Sequence, residues 1–324
     1  MKNIFQKPFR WALTYAIILT GFTVFVLLDT FVIPKAIQTV PDAVSTLNNV
    51  SAATATITSS SVTESTDNGT DTSAHKADGS LYTANSYQDE NISITITTER
   101  VYDTQVYIAD IQLQSIAYLK TAFAQDTFGR NIKQKTSAIA EAHDAILAIN
   151  GDYCGFRNYG FVIRNGVLYR DSARNSNDDE ALVIYEDGSF EVVRENAVAA
   201  DELLQQGAVQ VFSFGPSLLN NGTVSVNENS EVARAKISNP RTAIGIISPL
   251  HYIMIVSDGR TKASAGLTLY QLAEIFKELG CETAYNSDGG GSSTMWFNGE
   301  IVNIPTDGSK LSERSVSDIV YIGY

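Results

Sequence analysis

Four short polar segments in this chain each follow an apolar, strand-like run, the position from which a backbone delivers side chains into a crevice at a sheet end. The most unusual is Ala284-Tyr285-Asn286-Ser287-Asp288-Gly289-Gly290-Gly291-Ser292-Ser293-Thr294. Three consecutive glycines weaken any regular element by roughly 0.5–1 kcal/mol each, and close approach of the Gly289 and Gly290 backbone to a ligand accounts for them. Asp288 sets a carboxylate at the start of that loop; a flexible hairpin connection is the plainer alternative. No Gly-Lys-Ser/Thr follows, which argues against a Walker-type nucleotide site. A second segment, Ala145 to Ile149, runs directly into Asn150-Gly151-Asp152-Tyr153. It presents an amide and a carboxylate at a strand exit, although an Asn-Gly-Asp turn that satisfies its own backbone reads the same way. In the third, Arg241 opens an apolar strand after Asn239-Pro240, and a buried guanidinium there calls for an anion, either a structural carboxylate or a substrate phosphate. The fourth places Asp258-Gly259-Arg260 and Ser264-Ala265-Gly266 just before a helix start, whose free amides suit a phosphate or carboxylate. An Asp–Arg surface pair beside an ordinary cap fits that segment too.

Other chemistries lose weight by omission. The three histidines, His75, His143 and His251, form no His-Glu-x-x-His, and no Gly-x-Ser-x-Gly elbow is present. Cys154 and Cys281 lack the paired spacing of a zinc site and are too few for a disulfide scaffold; they pair with each other or remain buried thiols. A net charge of −13 repels a phosphate backbone, so nucleic acid is not expected as a partner.

The elements that must position these groups are mostly strands. Ile92, Ile94 and Ile96 alternate with polar residues, the period of a half-buried strand. Asn165-Gly166, Asp187-Gly188 and Asn298-Gly299 each sit between strand-like runs and predict three hairpins. One helix is expected over Leu269 to Leu279, with Thr268 and Gln271 as a capping box and Gly280 as its stop. The fold class is therefore α+β: one β-rich domain with a few packed helices over residues 91–324.

Ahead of it, the uncharged run Trp11 to Leu28 and its continuation to Ile33 are long enough to span a bilayer core of about 30 Å. Lys2, Lys7 and Arg10 precede the run, and no basic residue follows until Lys35. By the positive-inside rule, residues 1–10 are cytoplasmic, 11–33 form a single-pass anchor in the cell membrane, and the rest is extracellular. A cleaved signal peptide is the competing reading, but Ile33-Pro34-Lys35 is not a small-x-small cleavage site. Residues 34–90, rich in Ser and Thr, are expected as a disordered stalk.

Taken in order, Asn150 to Tyr153 (NGDY), Phe214 to Leu218 (FGPSL), Arg241 to Gly245 (RTAIG), Asp258 to Arg260 (DGR), Ser264 to Ala273 (SAGLTLYQLA) and Asn286 to Thr294 (NSDGGGSST) resemble the phosphodiester glycosidase family. Asn303-Ile304-Pro305 and Glu313 to Ser317 (ERSVS) look like that family's closing elements. Ser287 stands where a Leu is common, and Cys154 follows the NGDY segment. The resemblance implies a hydrolase that cleaves the glycosidic bond of sugar-1-phosphodiesters; the outward-facing topology of a membrane-anchored domain puts that substrate among cell-envelope or exopolysaccharide glycans. A phosphodiester is already a good leaving group, so anion-stabilising donors matter more than a general acid. On this reading Asp288 is nucleophile or general base, and Asp152 a second carboxylate that activates water or orients the sugar. Arg241, Arg260 and Arg314 hold the phosphate. Asn150, Asn286 and Ser293 position substrate, with Asp258, Ser264, Gly289, Gly290 and Ser292 completing the binding set. No cofactor is expected; a divalent cation among Asp152, Asp258 and Asp288 is conceivable and not assigned. A non-catalytic phosphoglycan-binding protein and a transglycosylase of envelope assembly are the alternatives.

Overall fold

A computed structural model describes residues 8–39, 74–75, 80–230 and 238–324. Three large antiparallel sheets, with three two-stranded ones beside them, are formed by the described residues. The largest has ten strands, and its centre is built by Ile92–Val101, Thr104–Leu113, His251–Ser257, Arg241–Ser248 and Thr283–Asn286. A five-stranded sheet contains Leu147–Asn150 between Met295–Phe297 and Asp318–Ile322, with Leu119–Phe123 at one edge. The other five-stranded sheet contains Val162–Arg164, Ala208–Phe212 and Glu180–Tyr185.

The period-two patterning sorts these strands onto common faces. Tyr107, Ala109 and Ile111 of the long sheet point into one core with Leu147, Ile149, Val320, Leu182 and Phe212 from the two smaller sheets. Val106 and Ile108 point the opposite way, onto Leu269, Leu272 and Phe276 of helix α4 (Leu269–Glu278). The outer faces of the smaller sheets are covered in turn by α2 (Thr136–Ala142) and α3 (Ala200–Gln205). Each sheet thus carries a helix outside, and all three share one interior. Gly245 permits the closest of these packings, because a Cβ there would sit 2.7 Å from the Phe276 ring.

The three hairpins form at the expected turns. Helix α4 starts with the capping box of Thr268 and Gln271, and Gly280 follows it with φ of +80°. Cys154 and Cys281 are buried free thiols, in different clusters.

Of the N-terminal expectation, the described residues bear on the anchor helix and on the two ends of the stalk. Helix α1 (Pro8–Phe31) is exposed from Arg10 to Leu28 and half-buried at Asp29 and Thr30, and its segment Arg10–Phe31 has a mean hydropathy of 2.1, the one candidate membrane span among the described residues. Most of the expected stalk lies outside the described residues, but both its ends are structured. Lys35–Thr39 is a strand paired with Thr127–Arg130. Leu81–Tyr82 and Ser86–Gln88 extend the ten-stranded sheet, with Tyr82 and Tyr87 buried. The folded domain therefore starts near Ser80 rather than at residue 91.

Candidate functional site

The ends of all three sheets meet at one place. Leu147–Asn150 runs out into Gly151-Asp152-Tyr153, Thr283–Asn286 into Ser287-Asp288, and Asp318–Ile322 is entered from Ser315-Val316-Ser317. Arg164 comes from the third sheet. Asn150 ties two of these exits together: its side chain accepts from the Thr242 hydroxyl at 2.8 Å and the Thr294 amide at 3.2 Å, and donates to the Asp288 carbonyl at 2.7 Å. Fully buried, Asn150 holds the loop that bears Asp288 rather than facing a ligand.

A cavity of about 500 Å³ opens at this junction, lined by Gly151, Tyr153, Phe156, Asp288, Ser292 and Arg314, with Lys133, Asp307 and Glu313 among its further walls. Of the expected site residues it gathers Asp288, Ser292 and Arg314. Burial raises the Asp288 carboxyl from its usual 3.8 to about 6, against the Ser292 hydrogen bond and the charges of Arg314 and Arg157, which pull it down. Arg314 donates to one Asp307 oxygen at 2.9 and 2.7 Å through Nε and Nη2 and is 42% exposed, so its guanidinium lies at the mouth. Glu313 accepts from the Ser137 amide and hydroxyl at the start of α2.

The glycine run is explained by what crosses it. A Cβ at Gly289 would meet the Pro240 carbonyl at 2.8 Å, one at Gly290 the Arg260 guanidinium at 2.8 Å, and one at Gly291 that of Arg314 at 2.6 Å. Two arginines therefore lie directly against the backbone that follows Asp288.

Several expected residues have other partners. Asp152 does not line the cavity: it is 2% exposed, binds Arg164 Nη2 at 2.9 Å and accepts from the Ser213 amide at 2.8 Å. The same Arg164 nitrogen lies 2.9 Å from Asp318. Arg164 outweighs burial and holds Asp152 below the ordinary carboxylate range, whereas burial pushes Asp318 up. Asp152, Cys154 and Asp318 offer donor atoms within 4.8 Å of one another, but the Arg164 guanidinium already supplies their cation. The cation cluster of Asp152, Asp258 and Asp288 does not form. Asp258 accepts from Tyr107 at 3.1 Å and the Ile304 amide at 2.8 Å, fastening the closing Asn303-Ile304 segment, and Ser264 accepts from the Gln105 amide at 3.1 Å. The α4 start is closed by its own capping box and is not in the cavity.

Arg241 lies behind the glycine loop. It is 4% exposed and donates through Nε to the Leu267 carbonyl at 2.9 Å; no carboxylate pairs with it among the described residues. Burial, with the Arg260 charge added, lowers its pKa to about 10. Asn286 holds the Gly215 carbonyl at 2.8 Å, while its Oδ1 and the Ser293 hydroxyl are buried without a partner.

Sequence reasoning missed Arg164 and Asp318, although each is a lone charge in an apolar strand (FVIR, DIVYI), and that was their signal. It also missed Arg157, which donates to the Ser213 carbonyl at 2.9 Å and lies over the Tyr153 and Phe214 rings.

A family model described as phosphodiester glycosidase matches residues 143–323. The SPbeta prophage-derived uncharacterized protein YomE of Bacillus subtilis is 34% identical over 202 residues, covering 61% of this chain and 31% of that protein. The mouse N-acetylglucosamine-1-phosphodiester alpha-N-acetylglucosaminidase is 30% identical over 111 residues, covering 31% of this chain and 21% of the enzyme. The chain thus spans less than a third of the length of either relative. The catalytic domain of the zebrafish enzyme of that name, auto-inhibited by its pro-peptide, superposes with a TM-score of 0.57 at 22% identity, over 72% of this chain and 83% of that one. The likeness at that identity is one of fold.

Proposed function

Since this chain belongs to the phosphodiester glycosidase family, we propose that it hydrolyses the glycosidic C–O bond of a sugar-1-phosphodiester in a phosphorylated envelope or exopolysaccharide glycan, outside the membrane in which α1 anchors it. The observation that carries this reading is Asp288, a carboxyl raised to about 6 on a triple-glycine loop flanked by guanidinium groups. Ionised, it either takes a proton from the water that attacks the anomeric carbon, or attacks that carbon itself to form a glycosyl ester that one water then hydrolyses; in both cases the C1–O bond breaks, its electron pair goes to the phosphate oxygen, and a phosphomonoester leaves. Arg314, exposed at the mouth and paired with Asp307, is placed to exchange that carboxylate for the substrate phosphate, and the charge of Arg157 also acts on Asp288. Arg260 and the buried Arg241 raise the positive potential beneath the loop. In this geometry Asp152 is a positioning residue: its pair with Arg164 sets the strand exit from which Gly151 and Tyr153 reach the cavity.

The test is product analysis with the full-length protein in detergent, given UDP-N-acetylglucosamine or a synthetic sugar-phosphate diester. Free sugar plus phosphomonoester supports hydrolysis. A larger glycan overturns it in favour of transfer, and binding without turnover in favour of a recognition protein.

A further inference from the structure

The segment that leaves the anchor helix is bound to the rim of the cavity. Lys35–Thr39 pairs with Thr127–Arg130, and the strand approach is so close at Gly129 that a Cβ there would lie 2.1 Å from the Lys35 carbonyl. One residue further, the Asn131 side chain donates to the Thr30 carbonyl at 3.2 Å and the Ile33 carbonyl at 3.1 Å, capping the end of α1. The same short stretch builds the cavity: the Asn131 amide donates to the Gly155 carbonyl at 3.3 Å, Arg130 binds Asn158 at 2.7 Å, and Lys133 is a wall residue.

These contacts limit the distance between the anchor helix and the cavity. The uncharged run of α1 ends at Leu28, and the Asp29–Lys35 ion pair at 2.6 Å marks its polar side. Lys133 is two positions beyond Asn131, at most about 7 Å of chain, so this wall residue lies on the order of 10–15 Å from the end of the apolar helix. Headgroup layers add roughly 5–8 Å on each side of a hydrocarbon core. The rim is therefore tied within a short distance of the end of the apolar helix, through the pairing of Lys35–Thr39 and the Asn131 contacts. Its composition agrees. Although the chain carries −13 overall, Arg130 and Lys133 stand on this stretch and the exposed Tyr153 lines the cavity, with Asp307 and Glu313 also among its walls. Basic and aromatic side chains are the ones that settle at an anionic interface.

From this we infer that the substrate is presented by the membrane itself: a sugar-1-phosphodiester whose second ester carries a lipid chain embedded in the bilayer that holds α1. The inference rests on the hydrolase reading above and names its substrate class. Hydrolysis at C1 takes up one water, releases the free sugar and leaves the lipid as its phosphomonoester in the membrane.

The experiment uses the full-length protein in phosphatidylcholine–phosphatidylglycerol vesicles. Two probes with the same α-N-acetylglucosamine-1-phosphate group are compared, one esterified to a long alkyl chain in the same bilayer, the other to methyl and free in solution. The wild type is expected to cleave the embedded probe at least tenfold faster at equal bulk concentration, and to spare it when it is supplied in separate vesicles. A flexible Gly-Ser insertion of about 20 residues after Ile33 lets the domain wander on the order of 25 Å. It should lower the embedded rate roughly tenfold by dilution of effective concentration while leaving the methyl ester rate unchanged. Asn131→Ala should move the same ratio in the same direction by less. Equal rates on both probes, or an insertion variant that retains the wild-type ratio, overturns the inference while the hydrolase reading stands. Cleavage of neither probe removes both.

Discussion

At the scale of single residues, the proposed chemistry turns on Asp288, the carboxyl that lines the cavity with its pKa raised to about 6. If it must be ionised to act, kcat/KM rises with pH through about 6 and levels above it; a profile that instead falls through 6 would make it the acid. Its elevated pKa also has a stability sign. A carboxyl whose folded pKa lies above its unfolded 3.8 favours the native state at low pH and loses that contribution as pH rises through 6. Asp288→Asn should therefore abolish turnover and yet raise stability at pH 8, by at most ~3 kcal/mol, with the gain vanishing at pH 4; thermal melts at both pH values measure it. Asp288 was legible in the sequence because three glycines advertise their neighbour. The role of Asp152 was not, because the guanidinium that neutralises it comes from another sheet, and nothing in Asn150-Gly151-Asp152-Tyr153 announces Arg164. Arg241 was expected to need an anion, and the structure supplies none from a described carboxylate.

At the scale of elements, the local signals served best where the physics is local. Turn dipeptides, the alternation of Ile92, Ile94 and Ile96, and the capping box of α4 each involve residues within a few positions of one another. The strand Lys35–Thr39 escaped detection because its partner lies some ninety residues away and its own five residues carry no buried face. Long-range ties of the same kind hold the site. Arg164→Met leaves Asp152 and Asp318 buried without a cation and should cost ~3–5 kcal/mol, read as a loss in urea midpoint. In the glycine loop, Gly289→Ala drives a methyl against the Pro240 carbonyl and should destabilise by ~1–3 kcal/mol. Gly291→Ala presses only on the movable Arg314 side chain, so it should spare the melting temperature and raise KM for the phosphodiester.

On the scale of the whole molecule, the family resemblance was readable from Asn150 onward, but the start of the domain was not, because Leu81–Gln88 has the polar texture of the preceding spacer. A protein that begins at residue 80 keeps the buried Tyr82 and Tyr87; one that begins at 91 loses both, at about 1.5–3 kcal/mol each. Comparative denaturation of the two checks this. The two cysteines carry a further consequence. Cys154 lies beneath the Arg164 cluster and Cys281 under α4, and burial pushes both thiols up, Cys281 to about 12. Neither can meet an alkylating reagent until its own region opens, so the rates at which iodoacetamide modifies them give two independent clocks for the breathing of opposite flanks of the protein, with no label introduced.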